Sequence, residues 1–166
     1  MHGASIVTRL ILSHGRIISA TDDRSIHVYS VKTGEQIWSF DGHEGGVWAL
    51  EAFKNTIVSG STDMTVRIWD LETGKCTHVF CGHTRTVRCL AIIKPEMVDM
   101  EVGVIRKERW PKRLLIVTGS HDHSLRVWAL PRPGDPEYRS NGFVDGEADS
   151  AELRVGCDIL SAYILS

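Results

Sequence analysis

The sequence predicts an all-β fold built from about three copies of one four-stranded antiparallel unit, and three observations carry that expectation. A passage that opens at Gly42-His43 and runs through Val47, Leu50, Ile57-Val58-Ser59-Gly60-Ser61 and Asp63 to Val66, Ile68 and Trp69-Asp70 returns further along the chain. Its second copy opens at Gly82-His83 and runs through Val87, Leu90, Ile116-Val117-Thr118-Gly119-Ser120 and Asp122 to Leu125, Val127 and Trp128. Within the copies, short apolar or alternating runs end at turn-forming residues, and no stretch has helical spacing. Recurrence at such an interval marks stacked supersecondary units, so the repeat sets the fold before any single residue is interpreted.

The first unit, residues 4–41, is the faintest copy. His83 minus His43 is 40, and subtracting the same 40 from Trp69 gives Tyr29. That shift also lays Ile57-Val58-Ser59 over Ile17-Ile18-Ser19 and Asp63 over Asp23, with Tyr29 in the place of Trp. The second unit, residues 42–81, is the clearest. Val47 to Phe53, Thr56 to Ser59, Thr65 to Trp69 and Cys76 to Phe80 read as its strands. Lys54-Asn55, Thr62-Asp63-Met64 and Glu72-Thr73-Gly74 supply the turns between them.

The third unit, residues 82–130, is longer. Trp128 minus Trp69 is 59, an excess of 19 over the period, and the surplus falls in an insertion at 91–114. Paired strands cannot absorb extra length, so the insertion is expected to be a loop. Its stretch Arg106-Lys107-Glu108-Arg109-Trp110-Pro111-Lys112-Arg113 could pass for a nucleic-acid patch, but one basic run in a chain of net charge −2 reads better as a solvated loop. Beyond the unit, Pro131-Arg132-Pro133-Gly134-Asp135-Pro136 stands where a fourth strand should begin. Residues 131–166 are therefore expected to be a Pro/Gly-rich acidic linker and a tail compatible with disorder, matching no blade strand.

Composition narrows the classes. At 166 residues with 42% hydrophobic, the chain is one domain or less with enough apolar residues for a core. The apolar run in Met1 to Leu12 is short and broken by Arg9, and no later segment approaches the length of a membrane span. Neither nucleic acid nor membrane is expected as a partner, and the expected location is the nucleus or cytoplasm.

Two chemical readings need weighing. His43, Ser59 and Asp63, which recur as His83, Thr118 and Asp122, have the residue types of an acyl-transfer triad. An enzyme needs one such site with an exposed nucleophile, and recurrence argues for a structural role, so no catalytic residue is assigned. Cys76, His78, Cys81 and His83 have the residue types of a zinc site, but structural zinc places its ligand pairs a dozen or more residues apart so that they converge. No metal or cofactor is expected, and the four cysteines are read as free buried thiols.

The units resemble the WD-repeat family, whose GH and WD dipeptides stand here as Gly42-His43, Gly82-His83 and Trp69-Asp70. The resemblance covers roughly residues 4–130 and implies a WD40 β-propeller fragment of about three blades. It also implies that His43, Ser59, Asp63 and Trp69, and again His83, Thr118, Asp122 and Trp128, form hydrogen-bonded tetrads tying turns to strands. Propellers close with about four to eight blades, so the ring is not closed by this chain alone. A piece of a longer propeller protein is the favoured expectation; self-association that closes the ring is the alternative.

GHEGGVWAL, VSGSTDMTVRIWDLETGKCTHVF, GHTRTVRCL and VTGSHDHSLRVWALP are similar to the propeller of fungal F-box/WD-repeat proteins of the cell-division-control type. These are substrate receptors of SCF ubiquitin ligases. The F-box through which such proteins dock the ligase core is absent from this chain. The resemblance implies recognition of a phosphorylated degron, for which converging Arg side chains suit the phosphate oxygens. By position it implies Trp48, Thr62, Thr86 and Arg88 as contact residues, with Arg24 at a position that is basic in relatives and Arg85 beside Thr86. Met64 stands where the family has Arg after the tetrad Asp, and His121 replaces another Arg. The expected function is a non-catalytic protein-binding module reading phosphorylated segments; the alternative is a generic WD scaffold that assembles proteins without reading phosphate.

Overall fold

A computed structural model of the chain describes residues 5–94, 96–102, 104–110, 114–130, 143–144 and 152–153. Strands β1 (Val7–Ser13), β2 (Arg16–Thr21), β3 (Ile26–Ser30) and β4 (Gln36–Phe40) form one antiparallel sheet in the order β1-β2-β3-β4. Strands β5 (Val47–Phe53), β6 (Thr56–Ser61), β7 (Val66–Asp70) and β8 (Lys75–Phe80) repeat that meander. In the third sheet β9 (Val87–Ile93) pairs with β12 (Leu115–Ser120), which pairs with β13 (Leu125–Ala129). The sheets stack as successive blades, each first strand against its neighbour's, and the ring they begin stays open among the described residues.

The insertion is not a loop. Residues Glu96–Val102 (β10) and Val104–Trp110 (β11) pair with each other as a separate antiparallel hairpin. Valines and isoleucine spaced among charged residues give both arms strand character. Glu96, Asp99 and Glu101 lie on one arm and Arg106, Lys107 and Arg109, with Glu108 among them, on the other, and the register sets Asp99 opposite Lys107. Because the extra residues pair among themselves, β9 and β12 meet as β5 and β6 do.

Only two short segments of 131–166 are described. Phe143–Val144 (β14) runs parallel to β8, and Glu152–Leu153 (β15) pairs antiparallel with β13. The third sheet thus gains a fourth strand where the sequence shows no repeat signature. Its register pairs Leu153 with Leu125, the place of Phe40 opposite Ile26 and of Phe80 opposite Val66. The long connection hides this strand from any fixed-period comparison. The rest of 131–166, with the linker and tail expected there, lies outside the described residues.

The core lies between blades. One cluster joins Ile18, Ile26, Val28 and Phe40 of the first sheet to Val47, Leu50, Ile57 and Trp69 of the second. The other joins Val58, Val66, Ile68 and Phe80 of the second to Val87, Ile116 and Trp128 of the third. Alternation along β6 therefore aims Ile57 one way and Val58 the other, and both are buried. This is why Ile57 and Val58 stand as adjacent apolar residues where a half-exposed strand would alternate apolar with polar. Across each junction the last aromatic of one blade packs on the tryptophan of the next, with ring centroids 5.3 Å apart for Phe40–Trp69 and 5.2 Å for Phe80–Trp128. Such pairs contribute about 0.5–1.5 kcal/mol beyond the area they bury. The Trp38 indole N–H also donates to the carbonyl of Leu71, 2.9 Å away, across the first junction.

Candidate partner-binding rim

Strand β5 begins, and β6 ends, at the same edge of the second blade. The Gly42-His43 segment and the β6–β7 turn therefore meet there, and the same holds for Gly82-His83 and the β12–β13 turn. Two buried hydrogen-bond chains hold these pieces together. In the second blade His43 Nδ1 lies 2.8 Å from Asp63 Oδ2, His43 Nε2 lies 2.7 Å from Ser59 Oγ, and Trp69 Nε1 donates to Ser59 Oγ at 2.8 Å. In the third blade the corresponding distances for His83, Asp122, Thr118 and Trp128 are 2.9, 2.8 and 2.8 Å.

The polarity of each chain follows from its ends. Indole N–H can only donate and an ionised carboxylate can only accept, so the hydroxyl between them donates to His Nε2 and the imidazole donates from Nδ1 to Asp. Burial pushes the Asp63 carboxyl up, but hydrogen bonding and charge attraction from His43, joined by the hydroxyl and amide of Thr65, hold it well below the usual carboxylate range. Asp122 is likewise held low: the Ser124 hydroxyl, the Thr84 amide and His83 outweigh its burial. Burial pushes the His83 imidazole down, outweighing Asp122, which favours the neutral ring that the network requires. Ser59 and Thr118 are fully buried and already hydrogen-bonded, which suits a strut and not an exposed nucleophile.

Glycine precedes each histidine for a steric reason. Gly42 has φ +154°, and a Cβ there would lie 3.0 Å from Arg67 Nη1 and 3.2 Å from the Trp69 ring. Gly82 repeats this against Arg126 and Trp128 with φ +152°. A side chain at either place would both strain the backbone and push the loop off the tetrad tryptophan.

The first blade has no such tetrad among the described residues. Tyr29 fills the tryptophan place, and Asp23 is held by the hydroxyls of Ser25 and Thr21, which keep its carboxyl well below the usual range. These hydroxyls are among the residues that the sequence reading missed. Thr65 Oγ1 donates to Asp63 at 2.7 Å and Ser124 Oγ to Asp122 at 2.6 Å. Ser61 and Ser120 tie the turns to the carbonyls of Gly45 and Arg85, 2.8 and 2.9 Å away. The available signal was a hydroxyl residue two places before and two places after each Asp, present in all three units as Thr21/Ser25, Ser61/Thr65 and Ser120/Ser124.

The candidate contact residues all lie on this rim, and two sets touch. Arg88, exposed at the start of β9, stacks its guanidinium over the half-buried Trp48 indole at 4.2 Å from the ring, joining the third blade to the second. Stacking uses the guanidinium face, while its N–H donors lie in the plane of the group. The His121 amide donates to the Thr86 carbonyl at 3.0 Å, and the Thr62 amide does the same to Gly46. Arg85 is exposed on the loop that Ser120 pins. Arg24 occupies the first-blade turn at φ 83°, the place taken by Met64 at 69° and His123 at 64° in the other blades. Met64 is exposed on the rim, where it presents an apolar side chain.

Two of the four residues with zinc-ligand chemistry, His83 and Cys76, sit in settings that disfavour a metal. His83 is held by Asp122 and Thr118, and burial pushes the Cys76 thiol up, against the pull of Arg67, which disfavours the thiolate a metal needs. No group of three or more His, Cys, Asp or Glu among the described residues could hold a metal ion. The cysteines are not all buried: Cys76 and Cys81 are half-buried, and Cys89 is exposed among the described residues. The hairpin β10–β11 leaves the molecule at the opposite rim, where β9 ends and β12 begins.

Comparison with known proteins points one way. The family described as WD domain, G-beta repeat, matches residues 34–70 and 106–129. Over 156 residues the chain is 49% identical to cell division control protein 4 of Candida albicans, covering 92% of this chain and 22% of that protein. It is 44% identical over 134 residues to the WD repeat-containing protein pop2 of Schizosaccharomyces pombe, covering 80% and 18%. With pop1 of the same organism the figures are 39% over 145 residues, 83% and 19%. The chain thus spans about a fifth of the length of these relatives. Among solved structures, the computationally designed Ika4 protein superposes with TM-score 0.61 at 26% identity, covering 75% of this chain and 66% of that one. The designed Ika8 protein gives 0.51 at 25%, with 74% and 45% covered.

Proposed function

Because the chain belongs to the WD-repeat family and is a protein-binding module of that family, we propose that its tetrad-braced rim reads a phosphorylated segment of a partner protein, as part of a ubiquitin-ligase substrate receptor. The observation that carries this reading is the Arg88–Trp48 stack. A guanidinium fixed on an aromatic ring loses little freedom when it binds, and its planar donors match two phosphate oxygens. Arg85, on the neighbouring loop, is the second cation of the set, and Thr86 and Thr62 add hydroxyls at the same edge. The similarity to cell division control protein 4 supports the receptor role.

The scaffold reading keeps a specific observation in its favour. Exposed Met64 and exposed His121 stand where the resemblance to the F-box/WD-repeat propellers implies Arg, and neither supplies a permanent cation to this rim. Anisotropy titrations with pooled phosphothreonine and phosphoserine peptides, alongside the same pools after phosphatase treatment, separate the two. The phosphate reading expects tighter binding of the phosphorylated pools and a loss of roughly 10- to 100-fold in Arg88→Ala, the equivalent of one charge-assisted contact. Equal binding of both pools supports the scaffold and overturns phosphate recognition.

A further inference from the structure

The first strand of every blade bulges where it starts at the rim, and the residue left out of the ladder is Thr8 in the first blade, Trp48 in the second and Arg88 in the third. Val87 pairs with Ser120 and Cys89 with Gly119, so Arg88 has no partner across the ladder. A bulge re-aims its side chain, and here the guanidinium turns onto Trp48 of the neighbouring blade. The third blade then adds two imidazoles at the same place. His121 is exposed, and its amide is bonded to the carbonyl of Thr86, two residues before Arg88. His123 is exposed as well, and it lines one recess together with Arg88 and His121. The corresponding turns carry Asp22 and Arg24 in the first blade and Thr62 and Met64 in the second, so the imidazole pair is peculiar to the third.

The charges around this pair govern when it carries protons. Arg88 comes from β9, and Arg85 stands on the loop before it, whose carbonyl accepts from Ser120 Oγ at 2.9 Å. Asp122, between the two histidines in sequence, spends its carboxylate on His83, the Thr84 amide and the Ser124 hydroxyl. On β13, Arg126 reaches toward Gly82 and is set opposite Glu152 of β15. Among the described residues no carboxylate lines the recess. An imidazole proton added beside fixed guanidiniums is therefore disfavoured while the rim is empty. A phosphomonoester, with a charge of about −1.5 to −2, reverses that sign when it binds.

We propose that phosphate binding at this rim is linked to proton uptake by His121 and His123, so that a phosphorylated segment binds more tightly as the pH falls. The inference rests on the phosphate reading of the rim and adds to it that part of the cation set is switched on by acid. Imidazole is the side chain whose charge changes between about pH 8 and pH 5, whereas Arg85 and Arg88 stay charged throughout. The ligand keeps most of its second negative charge down to about pH 6, so above that value the change lies in the protein. Only rim residues are needed, whatever lies against the outer face of the third blade.

The test is the affinity of the full chain for phosphothreonine peptide pools and for the same pools after phosphatase treatment, by anisotropy between about pH 8 and pH 6.5. Calorimetry of the phosphorylated pools in two buffers of different ionisation enthalpy counts the protons taken up, and it is read on the parent chain, so it stands whether or not any variant folds. One proton per bound phosphate allows at most about tenfold per pH unit, so a gain of roughly 3- to 30-fold across the range is expected, together with net proton uptake. His121→Gln combined with His123→Asn should flatten the dependence; Asn tolerates the left-handed backbone at position 123, where φ is 64°. His121→Arg should bind more tightly than the parent at the upper end of the range and change less with pH. Phosphate-dependent binding of equal strength at every pH, without proton uptake, overturns the link and leaves the phosphate reading standing. Pools that bind no better with phosphate than without it at any pH overturn both. A dependence that survives in the double variant assigns the proton to another group and overturns the role of the two histidines.

Discussion

At the residue scale, each tetrad is a set of buried polar groups whose cost depends on completeness. An unpartnered buried donor or acceptor costs about 1–3 kcal/mol, so every member constrains the others. Acid should therefore act in two stages. The folded His83 has its pKa lowered by burial, so below about pH 6.5 the unfolded chain takes up a proton that the folded one does not, and stability falls as pH drops. Asp23, Asp63 and Asp122 have folded pKa values far below the ordinary carboxylate value, so their contribution is complete above about pH 4 and is lost as pH falls further. Thermal unfolding followed by circular dichroism should show a flat midpoint from pH 8 to 7, a mild decline to pH 5 and a steep one below pH 4. Each kcal/mol lost should lower the midpoint by roughly 2–4 °C. A midpoint unchanged between pH 7 and pH 3 contradicts this account. The His, Ser or Thr, Asp and Trp members were legible because they recur as large or polar residues at fixed spacing. Ser61, Thr65, Ser120 and Ser124 were not, since a hydroxyl residue in a turn is common enough to hide a specific bond.

At the scale of elements, strand positions were more legible than what the strands pack against. Strand β5 spans Val47–Phe53 as its composition implies, while β6 runs two residues beyond Ser59, to Ser61, because the serines and Gly60 at its end pair with β5 despite lacking strand propensity. The hairpin β10–β11 was misread for a different reason. Periodicity compares a unit with its neighbour, and an insertion has no neighbour to be compared with. Its independence gives a clean expectation. Removing residues 95–113 takes out the 19 surplus residues and restores the 40-residue spacing of the third blade. Since β9 and β12 pair without help from the hairpin, the excised chain should keep its urea midpoint with a loss below about 1 kcal/mol, the order of a changed loop-closure entropy. A loss of several kcal/mol would show instead that the hairpin packs on the blade.

Among the described residues the arrangement is quasi-one-dimensional: each blade packs on its sequence neighbours, and the apolar core is divided between two junctions. That division was legible in outline from the repeat, yet the sequence could not say that successive residues such as Ile57 and Val58 serve different junctions, because a strand buried on both faces loses its alternation. The consequence is an uneven distribution of stability. In the second blade Val58 and Val66 touch the third blade while Ile57 and Trp69 touch the first, so opening it must break both clusters. Opening the first blade, with Leu10 and Val31 already exposed, or the third, with Cys89 exposed, breaks one. Regions with fewer buried contacts open at lower free energy. Native-state hydrogen exchange should therefore find the slowest amides in β6 and β7, and faster exchange in β2, β3, β12 and β13, although all six are sheet strands with paired backbones. Uniform protection across the three sheets would mean that the outer faces are covered as well as the inner ones.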